Sequence, residues 1–550
     1  MNSLPWLASY DPGVPPHLEY PEKPLAALVE EAAAKDPGRA ALIFFGRRVT
    51  HGQLLSWSDT FARSLKELGV ARGDRVALIL PNCPQFAVAY YGILRLGAAA
   101  VPVNPLSTER ELEFIFGDAQ VKAAVVLDLF YSRAAAACER LARQGAGAPR
   151  LIGTSLADFL PLHLALLYRL RQKVPAKPGL SFKQLIDGPG FGPPAPVDVR
   201  REPAVILYTA GTTGRPKGVM LSNFALVANA MHCIAWVHVQ PEDRFLTVLP
   251  IFHGFGMSVG LNAIMIAGGT TVLLPRYRPE DVLRAIARYR VTLFAGVPTM
   301  YIGLINHPRL ARYDLSSLRG CFVGAAPLPP EVKRRFEKLT GSRLMEGYGL
   351  TEAVTAKCCN PYRGTNKEGS IGIPFPDTIM KIVDVETGER ELPPGEAGEL
   401  VIKSPDIMLG YLNLPEETSR VIRGGWLYTG DIARMDEDGY FYLVERKKDL
   451  IITGGFNVYP REVEDVLYEH PAVKEACVVG VPDEYRGEVV KAFVVLREGQ
   501  AATAEEIIAH CRRHLVPYKV PREVEFRSEL PKSAIGKVLR RELREEAKKQ

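Results

Sequence analysis

The chain has 550 residues, 47% of them hydrophobic and 24% charged, with a formal net charge of +6. That length exceeds what one hydrophobic core usually serves, so more than one domain is expected. The modest charge leaves no overall electrostatic footprint for nucleic acid. Eight cysteines, at 83, 138, 233, 321, 358, 359, 477 and 511, show neither a CxxC pair nor a framework spacing. This suits a reducing, cytoplasmic protein and argues against a structural zinc site. The first fifteen residues carry Asp11, several prolines and no basic stretch, so they do not read as a secretory leader. No apolar run is long enough to span a bilayer.

Taken in chain order, residues 22–130 alternate between apolar runs at Lys66–Val70, Arg75–Leu80 and Val121–Leu127 and a helical pattern over Gln85–Leu96. Residues 155–173 have an apolar body (Phe159, Leu160, Leu162, Leu164, Leu166, Leu167, Leu170) followed by Arg169, Arg171 and Lys173. Such a composition suits a helix lying in a lipid interface with its cations near anionic headgroups. The same leucines can instead pack against the protein's own surface or a second subunit. Peripheral association at the inner membrane face and a homodimer are therefore both expectations.

Between residues 201 and 330, strands are expected at Arg244–Pro250, Thr270–Leu274, Val291–Ala295 and Cys321–Gly324. Helices are expected at Glu280–Tyr289 and Pro330–Leu339, the latter with proline near its start. This alternation implies a mostly parallel sheet covered by helices. The pattern changes near Arg446. A helix at Pro460–Tyr468, strands at Ala476–Val481 and Lys491–Leu496, a helix at Glu505–Leu515 and a basic C-terminal helix follow. That tail has an α+β pattern of its own and suffices for a small domain.

The most informative stretch is Tyr208-Thr-Ala-Gly-Thr-Thr-Gly-Arg-Pro-Lys-Gly218, entered from the apolar run Val205–Leu207. Glycines let backbone N–H groups turn toward an anion, and threonine hydroxyls and Lys217 add donors and charge. This is chemistry for holding a polyphosphate. It is not a Walker loop, because Gly218 follows Lys217 and Pro216 removes a donor. Four further segments stand out. Glu346-Gly-Tyr-Gly-Leu-Thr-Glu352 offers a flat aromatic face, a hydroxyl and a hard oxygen ligand for Mg²⁺. Trp426-Leu-Tyr-Thr-Gly-Asp431 ends in a carboxylate able to accept both hydroxyls of a ribose diol. Arg446–Phe456 and Leu530–Arg540 are basic and glycine-bearing. Pro250-Ile-Phe-His-Gly-Phe-Gly256 presents one histidine, His253.

In this order and spacing the segments resemble the acyl-adenylate-forming superfamily: acyl-CoA synthetases, luciferases and the adenylation domains of peptide synthetases. The resemblance covers nearly the whole chain. It implies an α/β fold with a large N-terminal domain (1–446) of two α/β subdomains plus a β-barrel-like subdomain. A small mobile α+β C-terminal domain (447–550) follows. By matched motif it implies that Thr209, Gly211, Thr212, Thr213, Gly214 and Lys217 hold the β- and γ-phosphates of ATP. Gly324, Ala325 and Ala326, with Glu346, Gly347 and Tyr348, frame the adenine. Thr351 touches the α-phosphate, and Glu352 is the Mg²⁺ ligand. Asp431 and Arg446 hold the ribose. Lys537 bridges the acyl carboxylate and the α-phosphate, Lys448 is the hinge, and Gly454, Gly455 and Phe456 lie on the CoA side. The implied catalytic set is Lys537, Thr213, Glu352 and His253, the last at the junction of acyl and nucleotide sites. Many relatives have serine or glycine where Ala210 stands, so no side-chain phosphate contact comes from that position.

The Gly-Gly-Phe-Asn-Val-Tyr-Pro run at 454–460, the opening Pro-Trp-Leu-Ala-Ser-Tyr at 5–10 and the 157–170 insertion look similar to bacterial long-chain fatty acyl-CoA synthetases. Fatty acid, ATP and CoA are then the expected substrates, with Mg²⁺ as cofactor and no nucleic acid partner. Ligases for medium-chain or aryl acids, or for loading a carrier protein, share every ATP motif. A non-catalytic acyl-binding module would be expected to lose Lys537, Glu352 or the threonine-rich loop. Small residues at Gly254, Gly256, Gly260 and Gly324 are expected either to leave room for an alkyl tunnel or to serve turns.

Overall fold

The computed structural model describes residues 4–171, 179–209, 216–326, 328–446, 449–453, 456–483, 486–532 and 538–547. The chain gathers into two compact units. The larger comprises Leu7–Ile379 and Lys403–Leu427; the smaller comprises Met1–Trp6, Met380–Ile402 and Tyr428–Gln550.

Two sheets organise the larger unit. In the first, nine strands among the described residues run in the spatial order 373–374, 356–359, 344–349, 320–323, 293–296, 244–247, 270–273, 40–44 and 47–50. The six from 344–349 to 40–44 are parallel, and antiparallel strands close both ends. In the second, eight strands run in the order 410–411, 217–222, 203–209, 99–102, 75–79, 121–127, 150–154 and 180–181. Central strands of such sheets are covered on both faces, so they read as continuous apolar runs rather than alternating ones. Ala41-Leu42-Ile43-Phe44 and Val76-Ala77-Leu78-Ile79 are buried throughout.

The covering helices follow sequence spacing closely. Pro279–Tyr289 starts on its proline and buries Val282, Leu283, Ala285 and Ile286. It stops at Arg290, whose left-handed conformation sends its N–H back to the Ile286 carbonyl. The expected run at Lys66–Val70 is not a separate element. It is the end of helix His51–Glu67 and the turn after it. Gly69 adopts φ +81°, and the Val70 and Gly69 N–H groups return to Leu65 and Lys66. Those two bonds satisfy carbonyls the helix end would otherwise leave unpaired. The strand expected over Arg244–Pro250 ends at Thr247, and the following residues leave the sheet toward His253.

The smaller unit carries a sheet of strands 379–383, 398–403, 426–435 and 441–446, and a second of 456–458, 451–453, 487–496 and 473–483, with 523–526 beside 487–496. Helices Pro460–Glu469 and Ala504–His514 bury Val463, Leu467, Ile507 and Cys511 in one core with Val478 and Val490. The last helix, Arg540–Ala547, is tied down by charge. One nitrogen of Arg540 donates to Glu445 at 2.7 Å and lies 3.6 Å from Asp449; the other donates to Glu464 at 2.8 Å. A single guanidinium thus compensates three carboxylates, Glu445 buried and Glu464 and Asp449 largely so. Arg540→Ala should lower stability by about 3–5 kcal/mol, because it strands those carboxylates without a cation. Denaturant titration followed by the signal of the C-terminal residues would measure the loss.

Candidate active site

Parallel sheets bind ligands outside the carboxyl ends of their strands, where crossovers leave a crevice. In the nine-stranded sheet those ends carry the residues singled out from sequence. Gly324, Ala325 and Ala326 follow strand Gly320–Val323; Glu346, Gly347 and Tyr348 lie in strand Leu344–Gly349. Val323 and Glu346 are register partners, and the buried Glu346 carboxylate accepts the Leu328 N–H at 3.4 Å. The residues expected from sequence to frame the adenine are therefore neighbours across one ladder.

A cavity opens beside them. Gly324, Ala325, Gly347 and Tyr348 form part of its wall, and Trp236, Val259, Ile264, Phe322 and other apolar side chains form the rest. None of its lining residues is Asp, Glu, Lys or Arg. His253 lines the same cavity. Its Nδ1 accepts the Phe255 N–H at 3.3 Å, capping the short helix Gly254–Met257. Burial lowers its pKa. The ring is then neutral at neutral pH, and its proton sits on Nε2, a donor at the cavity wall.

The helix after His253 contains a π segment, Ser258–Asn262, before resuming at Ala263–Ile266. Such wide turns often mark functional sites. Here the turn turns Phe255, Val259, Ala263 and Ile264 to the cavity. The Gly260 carbonyl takes the hydroxyls of Thr247 at 2.9 Å and Thr271 at 2.8 Å. The glycines behave differently from a tunnel lining. A Cβ on Gly254 would lie 2.3 Å from the Val354 carbonyl oxygen, and one on Gly256 would lie 2.3 Å from that of Pro250. One on Gly260 would press on Thr247. These three permit close packing; of the four, Gly324 alone is a cavity residue.

Glu352 sits in the single helical turn Thr351–Ala353. Its Oε1 accepts the Tyr411 hydroxyl at 2.9 Å, and its backbone carbonyl accepts the Met408 N–H at 2.8 Å. Tyr411 is kept protonated by burial first and by the Glu352 charge second. Just beyond, Val354 has φ +61° and ψ −60°, and Thr355 N–H closes a three-residue turn onto the Ala353 carbonyl at 2.7 Å. A branched residue in that region is strained, and it persists only where its surroundings over-determine it.

Those surroundings include a buried charge cluster that sequence reading missed. Lys357, between cavity residues Ala356 and Cys358, pairs with Asp406, and both side chains are fully buried. Asn229 donates to Asp406 at 2.8 Å, and Ser404 donates to its other oxygen. Nδ1 of buried His232 lies 3.4 Å from Asp406, and its Nε2 lies 2.8 Å from the Tyr20 hydroxyl. Burial alone would raise the Asp406 carboxyl; Lys357 and His232 outweigh it and hold the group ionised. Asp406 thereby pins the segment that delivers Met408 and Tyr411 to Glu352. A lone lysine in a short strand and an aspartate in a loop carry no sequence signal for such a pair.

The phosphate loop departs from the other sheet. Thr209 and Lys217 face each other across an antiparallel ladder, and Ala210 to Arg215 between them, with the expected Gly211, Thr212, Thr213 and Gly214, lie outside the described residues. Lys217 donates to Glu417 at 2.7 Å and lies 5.0 Å from the centroid of the Tyr411 ring. The hydrogen bond from Lys217 is the main cause of the lowered Glu417 pKa. Glu417 was not singled out from sequence, since Glu416 and Glu417 in a first helical turn read as ordinary N-terminal acids.

In the smaller unit, Asp431 and Arg446, expected from sequence to hold the ribose, are register partners on adjacent strands. Asp431 is buried, and its N–H donates to Thr429 Oγ1 at 3.1 Å. Lys448, Gly454, Gly455 and Lys537 lie outside the described residues, and Phe456 is described only as part of strand Phe456–Val458.

The model of the AMP-binding enzyme family matches residues 29–412, and that of its C-terminal domain matches residues 462–537. The chain belongs to the AMP-binding enzyme family. It is 45% identical to a long-chain-fatty-acid–CoA ligase of Bacillus subtilis over 99% of this chain and 98% of that protein. It is 39% identical to the ligase of that name from Salmonella typhimurium, with the same coverage. Among solved structures, ATP-bound MatB from Rhodopseudomonas palustris superposes with a TM-score of 0.85 at 32% identity, covering 95% of this chain and 98% of that one. The α/β architecture and the recognition of the superfamily from sequence both hold.

In this arrangement Lys217 already has an anionic partner, which a nucleotide polyphosphate must displace. Glu417→Gln should therefore tighten ATP binding about three- to tenfold, the scale of the net contribution of one typical hydrogen bond. Calorimetric titration with ATP would measure it; unchanged affinity would mean that Lys217 keeps Glu417 when nucleotide binds.

Proposed function

We propose that this enzyme is a long-chain fatty acid–CoA ligase. It converts ATP, a fatty acid and CoA into AMP, pyrophosphate and acyl-CoA through an acyl-AMP intermediate. The observation that carries this reading is the uncharged, largely apolar cavity that shares its wall with Gly324, Ala325, Gly347, Tyr348 and His253. A carboxylate at that wall would have its alkyl chain in the cavity and its reactive oxygen beside the nucleotide residues.

In the first half-reaction a carboxylate oxygen attacks the α-phosphorus of ATP and pyrophosphate leaves. The reactants repel one another, so positioned cations and donors carry the catalysis. On this reading Thr209 and Lys217 grip the β- and γ-phosphates together with Gly211, Thr212, Thr213 and Gly214. Thr351 contacts the α-phosphate, and the His253 Nε2–H steadies the acyl carboxylate. Asp431 and Arg446 receive the ribose, and Lys537 neutralises charge between carboxylate and phosphate. Glu352 offers a carboxylate already oriented by Tyr411, a hard oxygen donor suited to Mg²⁺. When bound there, the ion supplies neutralisation of polyphosphate charge. In the second half-reaction the CoA thiolate attacks the acyl carbonyl and AMP departs. Lys537 is needed in the first step and the thiol approach in the second, so residues 447–550 are proposed to move about Lys448, with Gly454, Gly455 and Phe456 on the CoA side.

The reading extends to the membrane. Helix Leu162–Arg171 does not bury its leucines: Leu162, Leu166 and Leu170, successive on one face, are 91%, 63% and 77% exposed. Its anchors are Ala165, which is buried, and Tyr168, which donates to Asp128 at 3.3 Å. Arg169 is also exposed, 3.9 Å from Asp158, while Lys173 lies outside the described residues. An apolar face beside cations fits the interface of an anionic bilayer, where the fatty acid resides. No helix among the described residues is long and apolar enough to cross a membrane.

Two measurements test these readings. With acids from C6 to C20, pyrophosphate release should rise about fourfold in kcat/KM per added CH2 until the cavity is filled, since each buried CH2 contributes about 0.8 kcal/mol. Equal or better use of benzoate-type acids would overturn the substrate assignment, and CoA-independent persistence of the adenylate would point to a carrier-protein acceptor. Vesicles of phosphatidylglycerol and phosphatidylcholine should bind the protein at low salt, and Leu166→Glu should weaken this about tenfold or more. Because Leu166 is exposed, the variant should fold; unaltered vesicle binding, or none by the wild type, would reject the membrane role. Sedimentation of the same variant shows whether that face instead joins two copies.

A further inference from the structure

Helices Pro460–Glu469 and Ala504–His514 pack side by side within the smaller unit. Among the described residues, Glu469, His510 and His514 come together there, each bringing one ligand atom within 4.8 Å of the other two. His510 and His514 are one turn apart on the same helix, the spacing that puts two side chains on one face. Glu469 is the last residue of the facing helix.

The tautomer of His510 is set by its other contact. Its Nε2 lies 3.0 Å from the Val466 carbonyl oxygen. A carbonyl can only accept, so Nε2 carries the proton and Nδ1 keeps its lone pair. Val466 is in the last turn of its helix, where carbonyls lack intrahelical partners, so this bond also satisfies the helix end. A ring nitrogen donated to a backbone carbonyl while the other stays bare is the usual support of a metal-ligating histidine. His510 is 8% exposed and wedged between the rings of His470 and His514, with centroids at 5.2 and 4.9 Å. Its orientation is therefore fixed before any ion arrives. His470 is turned to another task, its Nδ1 accepting the Ala472 N–H at 3.3 Å.

We infer that Glu469, His510 and His514 form a site for a borderline divalent transition ion, with Zn²⁺ as the best match. Two imidazoles and one carboxylate suit zinc and its neighbours and not Mg²⁺, which demands oxygen ligands. The remaining coordination positions are left to water. Glu469, His510 and His514 are not among the residues assigned to the reaction, and no covalent or redox step is involved. The ion links the ends of two helices that otherwise meet through their apolar core and the single Val466 bond. The cysteine spacing that argued against a structural zinc site does not bear on a histidine and carboxylate set.

The test uses untagged, metal-stripped, full-length protein titrated with Zn²⁺ against a chromophoric chelator. One equivalent should bind with micromolar or tighter affinity, and His514→Ala and Glu469→Gln should each weaken it about ten- to a hundredfold, the range seen when part of a metal site is removed. Both residues are exposed, so both variants should fold. His307→Ala, at a half-buried histidine elsewhere in the chain, should bind like the wild type. Co²⁺ should give visible bands in the wild type that vanish in His514→Ala. Equal Zn²⁺ affinity in wild type and His514→Ala, or wild-type binding only at millimolar ion, would show scattered surface imidazoles binding adventitiously and would overturn the site.

Discussion

A charge cannot sit unpaired in a dry interior, and the Lys357–Asp406 pair shows how much of the larger unit follows from that constraint. Each partner is fully buried, so each is tolerable only with the other in place. Asp406 is further saturated by Asn229 and Ser404, with His232 behind it and Tyr20 behind His232. A carboxylate with that many partners fixes its backbone. The segment that follows is therefore held where Met408 can bond the Glu352 carbonyl and Tyr411 its carboxylate. Stability at Asp406 and orientation at Glu352 are two ends of one chain of contacts.

The strained turn at Val354 belongs to the same arrangement. It lies between Glu352 and Lys357, and its carbonyl packs so closely on Gly254 that no side chain fits there. The strain is sustained because the strand carrying Lys357 is locked on one side and Glu352 on the other. Gly254 in turn follows His253, whose ring faces the cavity. The cavity wall at His253 and the turn carrying Glu352 are thus coupled through the contact between Gly254 and the Val354 carbonyl.

Electrostatic pairing governs the surroundings of Lys217. Lys217 is a partly buried ammonium, and without an anion beside it the charge would be costly. Glu417 supplies that anion and Tyr411 a ring face. A polyphosphate that displaces Glu417 gains the lysine but must outbid an existing partner, which sharpens selection for a highly charged ligand.

Much of this chain was legible without coordinates, because motif chemistry is local. The glycine and threonine loop before Lys217, the Glu346–Glu352 segment and Asp431 each announce a type of ligand through residues adjacent in sequence. The strand–helix alternation announced the parallel sheets, and spacing located helices such as Pro279–Tyr289 to within a residue. What sequence could not supply were pairings between distant residues: Lys357 with Asp406 and Lys217 with Glu417. Each joins side chains whose types are unremarkable alone, and their partnership depends on which strands and helices pack together. The role of the glycines shows the same division. Sequence determined that residues 254, 256 and 260 are small, and only the tertiary structure decided that this smallness admits a neighbouring carbonyl or threonine rather than an alkyl chain, because free volume belongs to the space between elements and not to any one of them.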